Sequence, residues 1–123
     1  ERDWLANLAQ FAALVHQSVP HLNWAGFYMA RGQELVVGPF QGKVACVRIP
    51  FTRGVCGACA STRSIQLVED VDAFPGHIAC DSASKSELVL PVVAGRVAGP
   101  PRPPCGVLRG QPCRDSVAAS NGG

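Results

Sequence analysis

The stretch WAGFYMARGQELVV, residues 24–37, decides the fold class. Trp24, Ala25, Gly26, Phe27, Tyr28, Met29 and Ala30 form an aromatic-rich run of strand character. Arg31, Gly32 and Gln33 supply a polar turn, and Glu34 to Val37 reads as a returning strand. Two strands joined by so short a turn must be antiparallel, so the sheet grows from a hairpin. On its N-terminal side, Trp4, Leu5, Leu8, Phe11, Ala12 and Val15 recur at helical spacing between Asp3 and Ser18, and Pro20 ends the run. On its C-terminal side, Cys46 to Ile49 alternates as a short strand, Gly54 to Thr62 is a short small-residue helix, and Ile65 to Val68 is a further strand. From Asp70 to Ser86 there is no sustained period, and Pro75, Gly76, Asp81, Ser82, Ser84 and Ser86 mark a long loop. Loops of this length are uncommon without a task. Leu88 to Val93 reads as the next strand, weakened in its middle by Pro91.

The chain of 123 residues is of one-domain size and can bury a core without covalent staples. With 47% hydrophobic and 16% charged residues it is globular in composition, and no apolar run approaches the roughly 20 residues needed to span a membrane. A net charge of +2 without a Lys/Arg cluster gives no footprint for nucleic acid or a membrane surface. Small molecules or proteins are the expected partners. The opening Glu1, Arg2 and Asp3 do not form a secretory leader, and the absence of an initiator Met predicts a longer parent protein. A cytosolic location follows as the expectation, and there cysteines serve as catalysts or ligands more often than as permanent bridges.

After Ala94, Gly95 and Arg96, residues Val97 and Ala98 begin what should be another strand, but four of the five residues after Gly99 are proline. Proline cannot donate to a sheet ladder. The expectation is a domain over residues 1–98 and a disordered Pro/Gly-rich tail over 99–123 with no central strand.

The cysteines carry the chemistry. Cys56, Gly57, Ala58 and Cys59 form a CxxC, which fits a redox pair or half of a zinc site. His77 and Cys80 could complete a tetrahedral set with it, while Cys59 could equally be a small buried residue of the helix. Cys80 sits on the long loop between His77 and Asp81, with Ser82, Ser84 and Glu87 following. A neighbouring cation or backbone N–H groups stabilise a thiolate, and a protonated carboxyl can deliver a proton; these are the parts needed to reduce a sulfoxide. A thiolate attacks sulfur, the acid protonates the departing oxygen, and a second thiol captures the resulting sulfenic acid as a disulfide. Cys46 or Cys56 could be that thiol. The alternative is that His77 caps a turn and Cys80 fills a gap beneath the loop.

The segments WAGFY at 24–28, GPFQGKVACVRIPF at 38–51, RGVCGACA at 53–60 and DVDAFPGHIACDSASKSELVLPV at 70–92 resemble the free methionine-(R)-sulfoxide reductases, which are GAF-domain proteins. The spacing of Cys46, Cys56 and Cys80 matches that family's three redox cysteines. The resemblance implies an α+β fold: a GAF-like, mainly antiparallel sheet flanked by helices, with the terminal strand and helix replaced here by the Pro-rich tail. It implies Cys80 as nucleophile, Cys46 as resolving thiol through a Cys46–Cys80 disulfide, and Cys56 as an auxiliary resolver. It further implies that Glu87 contacts substrate and that Trp24 and Tyr28 lie near the pocket, where their alternative is plain core packing; Asp81, next to Cys80 in sequence, is the fourth candidate substrate-binding residue. The substrate would be free methionine sulfoxide and the reductant thioredoxin, with no bound cofactor and no metal; homodimerisation stays open.

The family continues past this point into a strand bearing two pocket aspartates and then a helix, where this chain has Pro100, Pro101, Arg102, Pro103, Pro104 and Cys105. A shifted reading frame or alternative splice would produce such a change, and the expected consequence is weakened or lost activity. Two rival readings remain: a GAF small-molecule or redox sensor without turnover, and a zinc-bound structural module.

Overall fold

The computed structural model describes residues 1–76, 85–92 and 105–110. The element order is α1 (Trp4–Ser18), β1 (Leu22–Arg31), β2 (Glu34–Gly42), β3 (Arg48–Pro50), α2 (Gly54–Thr62), β4 (Gln66–Val68), a 3-10 turn (Val71–Ala73), β5 (Ser86–Pro91) and β6 (Cys105–Gly110). The strands form one six-stranded sheet in the order β3-β2-β1-β6-β5-β4, with every neighbouring pair antiparallel.

The local signals explain these elements. Asp3 caps α1, its carboxylate accepting from the Ala6 amide at 2.9 Å and so satisfying one of the first-turn donors. At the other end the chain turns extended at Val19, ahead of Pro20. The hairpin turns at Gly32, whose φ of +61° suits glycine, and returns in register with Arg31 opposite Glu34. A bulge lies between Gly26 and Tyr28. Gly26 has a packing reason: a Cβ there would collide with Phe40 and lie 2.8 Å from the Trp24 ring.

The expected strand at Cys46–Ile49 lies further on, at Arg48–Pro50. Cys46 leaves the ladder because its carbonyl accepts from the Tyr28 hydroxyl instead. The larger correction concerns the tail. Residues 105–110, placed beyond the domain boundary at residue 98 and denied a central strand by the sequence reading, form β6 between β1 and β5. The prolines precede the strand and interrupt no ladder within it. The run Cys105-Gly-Val-Leu-Arg-Gly alternates across the sheet and is held by registers on both sides, Val107 opposite Gly26 and opposite Val89. Residues 93–104 and 111–123, the rest of that prediction, lie outside the described residues, as does most of the expected loop, 77–84.

Each face of the sheet is covered by one helix. On one, α1 places Leu8, Ala12 and Val15 toward Ala25, Phe27, Leu90 and Leu108. On the other, α2 joins Trp24, Tyr28, Leu35, Ile49, Phe51, Val89 and Val107 in the main core through Val55, Cys56 and Cys59. Gly57 lets α2 approach closely, since a Cβ there would stand 2.8 Å from the Pro50 carbonyl oxygen.

Candidate active site

The α2 face contains a row of three cross-strand neighbours: Trp24 on β1, Arg109 on β6 and Glu87 on β5. Antiparallel register sets them side by side on one face, which is why residues 85 positions apart in sequence meet. The Arg109 Nε donates to Glu87 Oε1 at 3.2 Å, and both side chains are almost fully buried, at 4% and 6% exposure. The guanidinium carbon lies 4.7 Å from the Trp24 ring centroid and 6.0 Å from that of Tyr28. Trp24 in turn stacks with Phe40 at 5.2 Å and Tyr28 at 5.9 Å. A buried charge pair is tolerable only when geometry and neighbours offset its lost hydration, and the aromatic faces contribute to that.

The polar ends of the two rings act on the segment that carries Cys46. Trp24 Nε1 donates to the Lys43 carbonyl at 3.1 Å, and the Tyr28 hydroxyl donates to the Cys46 carbonyl at 2.9 Å. A third tie, from the Val37 amide to the Val47 carbonyl at 2.9 Å, closes this connection between β2 and β3. Cys46 is thus held against the core by β1 side chains, and it is disulfide-bonded.

Cys56 and Cys59 are both buried thiols on α2. The Cys56 pKa is pushed up to about 12, chiefly by burial and next by the Glu87 carboxylate, with Arg109 opposing the shift. At neutral pH Cys56 therefore stays protonated, unlike a reactive thiolate. Burial likewise raises the Tyr28 pKa. For Arg109 burial is the largest influence and works against the charge, but Glu87, Cys56 and Tyr28 more than offset it, so its pKa rises and the guanidinium stays charged.

The structure brings together Trp24, Tyr28, Glu87, Cys46 and Cys56 of the sequence-derived set around one core face. Trp24 and Tyr28, read as either pocket lining or core, are fully buried in the core at 0% exposure. His77, Cys80 and Asp81 lie outside the described residues. The described residues on either side of them are tied to the fold: the Gly54 amide at the start of α2 donates to the Gly76 carbonyl, and the Val71 amide to the Lys85 carbonyl, each at 2.9 Å. The zinc reading adds His77 and Cys80 to Cys56 and Cys59, and those two lie outside the described residues; among the described residues alone no cluster of three His, Cys, Asp or Glu side chains could hold a metal. Sequence reasoning missed Arg109 because it fell in the presumed tail. The one signal for it was Glu87, an acid in an otherwise apolar strand that would need a buried cation as partner.

No family model matches the chain. Individual relatives do. The free methionine-R-sulfoxide reductase of Escherichia coli is 55% identical over 93 residues, covering 76% of this chain and 56% of that protein. Among solved structures, a putative GAF sensor protein from Burkholderia vietnamiensis is 55% identical, with a TM-score of 0.82 over 89% of this chain and 68% of that one. The fRMsr of Staphylococcus aureus in its reduced form is 41% identical, with a TM-score of 0.81 over 89% of this chain and 69% of that one. The chain spans between 55% and 63% of the length of the curated relatives it matches.

Proposed function

The chain belongs to the free methionine-R-sulfoxide reductase family, and on that premise we propose that it reduces free L-methionine (R)-S-oxide to methionine through a cysteine relay. The Cys80 thiolate attacks the sulfoxide sulfur, and proton delivery lets the oxygen leave with the enzyme as Cys80 sulfenic acid while methionine departs. The Cys46 thiol then attacks that sulfenic sulfur, forming the Cys46–Cys80 disulfide and releasing water. Two thiols have supplied the two electrons, and thioredoxin or another dithiol returns them. Glu87 serves the substrate side of the pocket, with Asp81 beside the nucleophile.

The observation that carries this reading is the identity of 41–55% to free methionine-R-sulfoxide reductases; the disulfide-bonded state of Cys46, with Cys56 and Cys59 free, is in keeping with a relay that runs through Cys46. The high pKa of Cys56 favours Cys46 over it as first resolver, because a protonated thiol is a poor nucleophile. Cys56 remains as the auxiliary thiol. A cytosolic setting suits a relay that needs a reducing pool, and among the described residues no helix is long and apolar enough to cross a membrane. Weakened activity is supported by β6, which sets a cation, Arg109, against Glu87 where the resemblance implies pocket carboxylates.

The test incubates the protein with each sulfoxide epimer and a thioredoxin system, beside Cys80→Ser. Loss of the R epimer that disappears in Cys80→Ser supports the relay, and equal turnover by that variant removes Cys80 as nucleophile. A sensor reading is favoured by the similarity to the B. vietnamiensis protein. It is the better account if the R epimer binds but is not consumed.

A further inference from the structure

Arg109 is a buried cation that uses fewer partners than it offers. Arginine carries five N–H donors in a planar fork. Here Nε reaches Glu87, while Nη1 is withdrawn from water with no acceptor. Burying a donor unsatisfied is costly, so its position is explained by what surrounds the charge rather than by a complete set of hydrogen bonds. On one neighbouring strand stands a carboxylate and on the other the face of Trp24, with Tyr28 behind it. A carboxylate beside aromatic faces, shielded from water, suits any compact organic cation, an ammonium as well as a guanidinium.

We propose that Arg109 is an internal competitor: its guanidinium fills, from within the chain, a cation receptor built by Glu87, Trp24 and Tyr28 that would otherwise accept the ammonium group of a free amino acid. The amino acid's identity rests on the reductase reading above; the blockade itself does not. Because Arg109 is tethered beside the receptor, an incoming ammonium binds only in the fraction of molecules whose guanidinium has left. Apparent affinity falls by that fraction. The device would make amino-acid affinity depend on a residue that forms no part of the thiol relay.

The test is titration calorimetry of the full chain, reduced, with two ligands: L-methionine and 4-(methylsulfanyl)butanoate, which differs only in lacking the ammonium. Arg109→Met keeps an unbranched stem against Trp24 and removes the charge. The expected result is a gain of about tenfold or more in affinity for L-methionine over the unsubstituted chain, with no gain for the desamino ligand. Equal gains for both ligands, or none in a variant whose circular dichroism matches the unsubstituted chain, overturn the proposal. If Arg109→Met folds only marginally, methylammonium at tens of millimolar should raise its melting temperature and leave that of the unsubstituted chain unchanged; no rise overturns the proposal too. Turnover is not read in either measurement, so failure of the reductase reading, seen as an unconsumed R epimer, is a separate result.

Discussion

The two faces of the sheet are built to different standards. Under α2 the packing is tight and mixed: Trp24, Tyr28, Leu35 and Val89 are at 0% exposure, and a charge pair and two thiols are sealed among them. Under α1 the cover is thin: Ala12 alone of the helix is fully buried, while Trp4, Leu5, Phe11 and Leu14 are between 52% and 61% exposed. An almost entirely apolar cavity of about 400 Å³, with Asn7 at its edge, lies between that helix and the sheet. A sheet can therefore keep its chemistry on one side and leave the other loosely finished. A buried charge has to be paired to be tolerated, whereas an apolar face tolerates gaps at a cost that scales with lost contacts.

The contrast predicts where substitution hurts. Trp24→Ala should have the largest effect, about 3–5 kcal/mol in equilibrium denaturation, because it empties the core and removes the ring beneath Arg109. A loss below about 1 kcal/mol would mean that the α2 face is no better packed than the other. Glu87→Ala should follow at about 3 kcal/mol, since it strands the Arg109 charge without its carboxylate. The double variant Glu87→Ala with Arg109→Met should recover part of that loss. An additive double variant would show that the pair is not coupled.

A pH titration of stability sharpens the same comparison. Cys56 has its pKa raised from 9.0 to about 12 in the fold, so the unfolded chain gives up that proton first as pH rises. The stabilisation is complete below about 9 and is lost as pH climbs toward about 12, with a slope approaching about 1.4 kcal/mol per pH unit. Tyr28, whose pKa burial also raises above 10.0, adds to the alkaline loss. Cys56→Ala should flatten the curve between pH 9 and 10, and an unchanged slope there would show that Cys56 is not sealed from water.

Most of the frame was legible because its signals are local. The first helix has a capping Asp3 and a terminating Pro20, the hairpin has Gly32 at its turn, and the predicted bounds of α2 agree with those observed. Strand β6 was not legible, because two glycines and a preceding proline run hide a segment whose stability comes from pairing on both sides with β1 and β5. Losing β6 also lost Arg109, so the sequence displayed Glu87 without its counter-charge. Trp24 and Tyr28 were named from sequence, but their grip on Cys46 was not readable, since both bonds run to backbone carbonyls across the sheet edge.

The smallest effect belongs to α1. Leu14 is 61% exposed and lies away from the cavity lining, so Leu14→Gln removes little contact from the fold. Leucine and glutamine have similar helix propensities, and the substitution should therefore change stability by less than about 0.5 kcal/mol. Its effect on ligand affinity should be smaller still, because α1 and the Glu87–Arg109 pair lie on opposite faces of the sheet. Denaturation and L-methionine titration on the one variant check both. A stability loss on the scale of Trp24→Ala would mean that Leu14 is covered in solution and that the thin face is completed by something docked on it. The asymmetry between the faces would then belong to the isolated chain rather than to its working form.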